Sequence, residues 1–132
     1  MSYSSDMRIS TAGIVRKDGL FFVALRKPGT SIGESWEFPG GKVEPGEDPR
    51  DGLVREFDEE FHVQIRVGKE IGRSEFYNKD QKYELIAYEV SFLSHDFVHP
   101  EHQEFKWLDL ESLKKLPMTD SDRSLLPFLE AK

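Results

Sequence analysis

The stretch that most constrains this chain is a helix with glutamates on one side and an apolar stripe on the other, entered through a glycine-rich loop. Asp48 and Pro49 mark its start. Aspartate is a favoured N-cap, and proline suits the first helical position, where its missing N–H costs nothing. Leu53, Phe57 and Phe61 then recur every fourth residue, with Val54 beside them. That spacing lays apolar side chains along one helical face and predicts a helix over Pro49–Phe61. The stripe must be buried, so the rest of the chain has to supply a surface to cover it. A length of 132 residues suits one domain, expected over 1–132, with the small polar residues of 1–6 expected to be disordered.

The covering surface reads as a sheet. Ile9–Arg16 and Leu20–Leu25 are rich in strand formers and flank Lys17-Asp18-Gly19, and Asp-Gly between two such runs is a strong hairpin signal. Trp36-Glu37-Phe38 reads as a short strand stopped by Pro39-Gly40-Gly41. After the helix, Gln64–Val67 and Ile71–Tyr77 read as two strands, Asn78-Lys79-Asp80-Gln81 as a turn and Lys82–Phe92 as a long strand. A short strand over Glu104–Asp109 follows, then two short helices near Leu110–Lys115 and Asp120–Glu130. Strands and helices alternate without a regular βαβ series. The expected class is therefore α/β, a mixed sheet packed between helices.

Glu56, Glu59 and Glu60 stand at i, i+3 and i+4 of the helix, which places them on one face about a turn apart. Carboxylates crowded in this way repel one another. Hard divalent cations with oxygen ligands relieve that repulsion, and Mg²⁺ is the usual choice beside phosphates. Arg55 is placed to hold a carboxylate by a charge-assisted hydrogen bond. A glutamate pair on a helix is more often a solvated face. Here Gly40, Gly41 and Gly46 precede it, with Lys42 available to a phosphate.

The run Gly41, five residues, Glu47, seven residues, Arg55-Glu56-Phe57-Asp58-Glu59-Glu60-Phe61-His62-Val63 resembles the Nudix box. Every specified position matches except one: the box has glycine where this chain has His62. Trp36-Glu37-Phe38-Pro39-Gly40-Gly41-Lys42-Val43-Glu44 resembles the MutT-like branch. The resemblance implies an α/β/α sandwich around a mixed β-sheet, and attack by water on a diphosphate bond with Mg²⁺, or with Mn²⁺ as a substitute. It implies that Glu56, Glu59 and Glu60 hold metal, with the backbone carbonyl of Gly40 and with Glu101 from a later loop, and that one of these glutamates activates the water. Glu47 and Arg55 would hold the helix and its carboxylates in register. Arg26, Lys27 and Lys42 would hold phosphates. The departure at His62 bears on the loop after the helix, where a left-handed residue often ends a helix; no carboxylate is lost.

By the same resemblance, Asp122 in Ser121-Asp122-Arg123 takes the base-reading position; the competing reading is a helix cap. Trp36, Phe38 and Phe76 are candidates to stack on a base, against a core role for each. The expected reaction converts a nucleoside triphosphate, such as 8-oxo-dGTP or a cytidine triphosphate, to the monophosphate and pyrophosphate. ADP-ribose or a dinucleoside polyphosphate as substrate, or a catalytically idle nucleotide-binding domain, are the alternatives. Retention of Glu56, Glu59, Glu60 and Glu101 speaks against an idle domain.

Composition sets the remaining bounds. The formal net charge is −7, which disfavours a nucleic-acid polymer as partner but permits a small nucleotide bridged by cations. Cysteine is absent, so disulfides and thiolate metal sites are excluded. No apolar run approaches a membrane span and the first ten residues lack a hydrophobic signal core. The expected setting is cytoplasmic, without a membrane partner. The sequence does not decide between a monomer and a homodimer.

Overall fold

The computed structural model describes residues 8–26, 35–93 and 102–130. In chain order the elements are β1 (Arg8–Lys17), β2 (Leu20–Arg26), β3 (Trp36–Glu37), β4 (Gly40–Lys42), α1 (Pro49–Phe61), β5 (Ile65–Asn78), β6 (Gln81–Phe92), β7 (His102–Leu108), α2 (Leu110–Leu113), α3 (Asp120–Arg123) and α4 (Leu126–Leu129).

One mixed sheet runs in the order β3-β2-β1-β6-β5, with β4 added on β1 and β7 on β2. β1 and β6 are parallel; the other ladders are antiparallel. The expected turns form as the sequence requires. Asp18 and Gly19 have φ of 54° and 80°, and Lys79 and Asp80 have 54° and 67°, the paired positive angles of two-residue hairpin loops whose twist suits the flanking strands.

Strand alternation divides the core into two layers. Phe21, Val23 and Leu25 of β2 join Ala12, Ile14, Leu85 and Ala87 beneath Leu113, Leu126 and Leu129 of the C-terminal helices and Leu125 between the last two. Phe22 and Ala24 face the other way, with Val15, Ile86, Tyr88 and Val90, onto Leu53, Phe57 and Phe61 of α1. The α/β/α sandwich is therefore present. All three stripe residues of α1 are fully buried. Aromatic edges lock them in: Phe22 lies 5.8 Å from Phe61 and 5.3 Å from Trp107, separations at which ring pairs attract. Gly13 lies under the helix because a Cβ there would sit 2.6 Å from the Phe57 ring. Among the described residues no helix is long and apolar enough to cross a membrane.

Three elements differ from the sequence expectation. Pro39-Gly40-Gly41 does not end the β structure: Gly40–Lys42 pair with Ser10–Ala12, flanked by Gly13 N–H donating to Pro39 O and Val43 N–H to Ile9 O. The two strands expected between Gln64 and Tyr77 are one, β5, whose register against β6 shifts between Val67 and Glu70 and again between Glu70 and Gly72. The bulges absorb the broken alternation while pairing continues. The helix expected over Asp120–Glu130 is two, α3 and α4, because Pro127 has no N–H to bond the carbonyl of Arg123.

Candidate active site

α1 starts and ends as its sequence dictates. Asp48 accepts a hydrogen bond from Arg50 N–H, and Pro49 opens the helix. At the far end His62 adopts the left-handed conformation, φ 56° and ψ 39°, and its N–H donates to Asp58 O. The position that the Nudix box gives to glycine thus keeps a left-handed backbone here, carried by a residue with a Cβ.

Arg55 is the centre of the site's electrostatics. Its guanidinium grips Glu47 bidentately, Nε to Oε2 at 2.9 Å and Nη2 to Oε1 at 3.0 Å. Nη1 donates to Glu56 Oε2 at 3.1 Å and Glu59 Oε1 at 3.2 Å, with Glu44 at 3.8 Å. Nη2 also donates to the carbonyl of Lys42. The sequence expected Arg55 to hold one carboxylate; it binds several and ties the helix to the preceding loop. The Arg55 guanidinium, aided by the Glu44 N–H, holds the Glu47 carboxyl down at about 2. Glu47 in turn raises the Arg55 pKa.

The glycines make room for this cluster. A Cβ on Gly41 would lie 2.5 Å from the carboxyl carbon of Glu56, so Glu56 seats its carboxylate against bare backbone. A Cβ on Gly40 would fall 2.1 Å from Thr11 O; only glycine allows β4 to approach β1 so closely. Thr11 Oγ1 donates to Gly41 O and fixes that turn.

Glu56 and Glu60, one turn apart, line a cleft of about 470 Å³ together with Gly40, Gly41, Lys42, Phe38, Phe76, Asn78 and Asp122. That size suits a small-molecule ligand. Two other hollows, about 290 and 600 Å³, touch neither α1 nor the glycine loop. The three glutamates do not behave alike. Glu56 has a 17% exposed side chain. Glu60 has an oxygen shielded from solvent. Glu59 is 58% exposed, leans on Arg55 and does not line the cleft.

A hard cation suits these donors in kind, since all are carboxylate or carbonyl oxygens. Among the described residues, however, no three acidic or imidazole side chains converge on one point, because Arg55 draws Glu56 and Glu59 to itself. Glu101 and Lys27 lie outside the described residues, as does the side chain of Arg26.

The opposite wall comes from α3. Asp122 is 9% exposed, and its Oδ2 accepts from Phe38 N–H at 3.3 Å. It is not the helix cap: Thr119 caps α3, accepting from Asp122 N–H. Arg123 secures the helix by donating to the carbonyls of Lys114 and Leu116, and Ser124 meets Ser74 of β5 at 2.8 Å. Of the aromatic candidates, Phe38 and Phe76 reach the cleft. Trp36 does not. It is 3% exposed within the core, with Lys106 over its ring; Phe38, two residues on and equally buried, packs into the same core and also borders the cleft. Sequence reading missed Thr119, Ser121 and Asn78 as cleft residues; short polar residues in loops carry no signal before the fold juxtaposes them.

A mixed sheet between helices, with a glutamate helix and a glycine turn forming one wall of a polar cleft, defines the class of protein. The chain belongs to the Nudix family of hydrolases, whose NUDIX domain description matches residues 7–129. It is 32% identical over 120 residues to the CTP pyrophosphohydrolase of Escherichia coli, covering 91% of this chain and 87% of that one. It is 43% identical over 53 residues to the 8-oxo-dGTP diphosphatase of Haemophilus influenzae, 39% of each chain. The solution structure of the E. coli ORF135 protein superposes with a TM-score of 0.87 at 31% identity, covering 99% of this chain and 94% of that one.

Proposed function

We propose that this Nudix hydrolase is a Mg²⁺-dependent nucleoside triphosphate pyrophosphohydrolase, releasing the nucleoside monophosphate and pyrophosphate. The observation that carries the reading is a cleft with two chemically distinct walls. One presents Glu56, Glu60 and Lys42; the other presents Asp122 fixed against Phe38. A nucleotide has the same division, a phosphate chain at one end and a base at the other.

In this reading Glu56, Glu59 and Glu60 hold the cation, with the Gly40 carbonyl and Glu101. Mn²⁺ is a substitute, since its oxygen-ligand preferences are similar. When bound, the cation neutralises phosphate charge and makes an attacking water more acidic. Glu59, the most exposed of the three, has the freedom to turn from Arg55 towards it. One of the glutamates takes the proton of the water. Lys42, with Arg26 and Lys27, binds the phosphate chain, so that positioning and charge stabilisation do most of the work. Asp122 accepts hydrogen bonds from base amino or imino groups, and Phe38 and Phe76 supply apolar contact. The identity to the CTP pyrophosphohydrolase spans nearly the whole chain, which supports cytidine triphosphate as the first substrate to test and 8-oxo-dGTP as the second.

The test is pyrophosphate release from ordinary and oxidised triphosphates, cytidine nucleotides, ADP-ribose and dinucleoside polyphosphates, with Mg²⁺ or Mn²⁺. Glu59→Gln is the control. The expected result is triphosphate turnover that needs the metal and drops at least a hundredfold in the variant. Full activity in Glu59→Gln would overturn the assigned role, and preferred turnover of ADP-ribose would overturn the substrate class.

A further inference from the structure

We propose that Tyr83 is a positioning residue whose ring holds the Lys42 ammonium at the cleft, oriented but not neutralised, for the phosphate chain of the substrate. The inference rests on the reading of this cleft as a nucleoside polyphosphate site.

The sheet register makes the arrangement. Lys42 of β4 stands opposite Ser10 of β1, and Ser10 stands opposite Leu85 of β6. One step along the same face lie Arg8, Tyr83 and Phe76. The small side chain of Ser10 leaves a lane through which Lys42 reaches across β1. Its Nζ lies over the Tyr83 ring, 5.2 Å from the centroid. Tyr83 is itself fixed: it is 6% exposed and stacks on Phe76 at 5.1 Å with the rings 7° from parallel. At its other end the Lys42 backbone is held by the Arg55 guanidinium. The residue is thus anchored at both main chain and side-chain tip.

Glutamates are plentiful near this lysine, yet none of the described carboxylates pairs with its ammonium. The difference matters chemically. A salt bridge would cancel the charge and would have to be broken before an anion could bind. A ring face attracts a cation through its quadrupole and leaves the positive charge and its N–H donors available. The aromatic pair therefore lowers the ordering cost of a long flexible side chain without competing for the ligand. Lys42 lines the cleft beside Gly41 and Glu56, where a phosphate chain would lie in this reading.

The experiment uses the full chain as wild type, Tyr83→Phe, Tyr83→Leu, Lys42→Met and the double variant Tyr83→Leu/Lys42→Met. Binding of inorganic tripolyphosphate with Mg²⁺ is measured by calorimetry, and KM and kcat are measured with CTP. Tyr83→Leu is expected to weaken tripolyphosphate binding about two- to fivefold, the worth of a partly exposed cation–ring contact, and to raise KM by the same factor with kcat held. Tyr83→Phe keeps the ring and is expected to match wild type. In the Lys42→Met background, Tyr83→Leu is expected to have no further effect. Nuclear magnetic resonance supplies a readout that a packing role would not move: the Lys42 ε-methylene protons shift upfield under the ring in wild type and Tyr83→Phe, and lose that shift in Tyr83→Leu. If Tyr83→Leu fails to fold, Phe76→Leu replaces it and is expected to move the same signals in the same direction. An equal loss from Tyr83→Leu with or without Lys42, or tripolyphosphate binding indifferent to Lys42→Met, would overturn the proposal. Intact coupling in a protein that turns over no nucleotide would instead overturn the hydrolase substrate reading and leave this one standing.

Discussion

His62 offers a clean perturbation, because its backbone is unusual and its side chain is exposed. It ends α1 at φ 56° and ψ 39°, with its N–H bonded to Asp58 O at 2.9 Å. That bond survives any replacement except proline. A left-handed backbone costs a residue with a Cβ about 1–2 kcal/mol, and histidine lies towards the low end because it tolerates the region better than most. Glycine escapes that penalty but returns about 0.4–1 kcal/mol through the greater freedom of its unfolded chain. The balance favours His62→Gly by at most about 0.6 kcal/mol, which for a domain of this size raises Tm by at most about 2–3 °C. The assay is thermal and urea unfolding in EDTA, so that cation linkage does not contribute, with His62→Ala beside it. Glycine should raise the urea midpoint at constant m, alanine should not, and the kcat/KM of the glycine variant should stay within about twofold of wild type. A midpoint that falls in His62→Gly would refute the strain argument and give the imidazole a stabilising role of its own.

Other perturbations follow from the same geometry. Gly13→Ala drives a methyl into the Phe57 ring at 2.6 Å and should cost about 1–3 kcal/mol in urea unfolding; Phe57→Leu in the same chain should restore part of it, and additive losses would refute the clash. Glu47 titrates at about 2 in the fold against an ordinary 4.5, so its contribution is complete above 4.5 and disappears as pH falls through 2. Glu47→Gln should therefore be less stable than wild type at pH 7, with the gap mostly closed by pH 2, and a gap as wide at pH 2 as at pH 7 would place its effect in packing. Asp122→Asn keeps an acceptor for Phe38 N–H but loses the charge; the ratio of kcat/KM between cytidine and oxidised-guanine triphosphates should change severalfold, and an unchanged ratio would remove Asp122 from base reading.

The helix was legible to the residue because every determinant is local: Asp48 caps it, Pro49 opens it and the fourfold stripe orients it. β4 was not, because Pro-Gly-Gly reads locally as punctuation and becomes a strand only when β1 offers a partner. The same limit separated Trp36 from Phe38 among the stacking candidates. Both are aromatic, both share a strand parity and both are buried in the same core; only the tertiary arrangement of the walls decides that the second also borders the cleft. Tyr83 was invisible as a site residue for a related reason: its relation to Lys42 crosses two ladders, and nothing in the order of the chain announces a register.

The spacing of the Nudix box itself has a physical explanation in these contacts. Gly41 precedes Glu56 because the carboxylate of Glu56 occupies the volume that a Cβ at 41 would fill. Glu47 precedes Arg55 because its two oxygens receive the guanidinium edge-on, and Glu47 also lies within 3.0 Å of where a Cβ on Gly52 would stand. The loop from 41 to 47 is thus closed onto the helix at its glycine and at its glutamate. One arginine is then shared among Glu44, Glu47, Glu56 and Glu59, and a single positive charge cannot balance them. Arg55 orients the carboxylates and leaves the face with negative charge to spare. The arrangement that fixes the helix is for that reason also one suited to attract a divalent cation, and stability and proposed chemistry draw on the same few side chains.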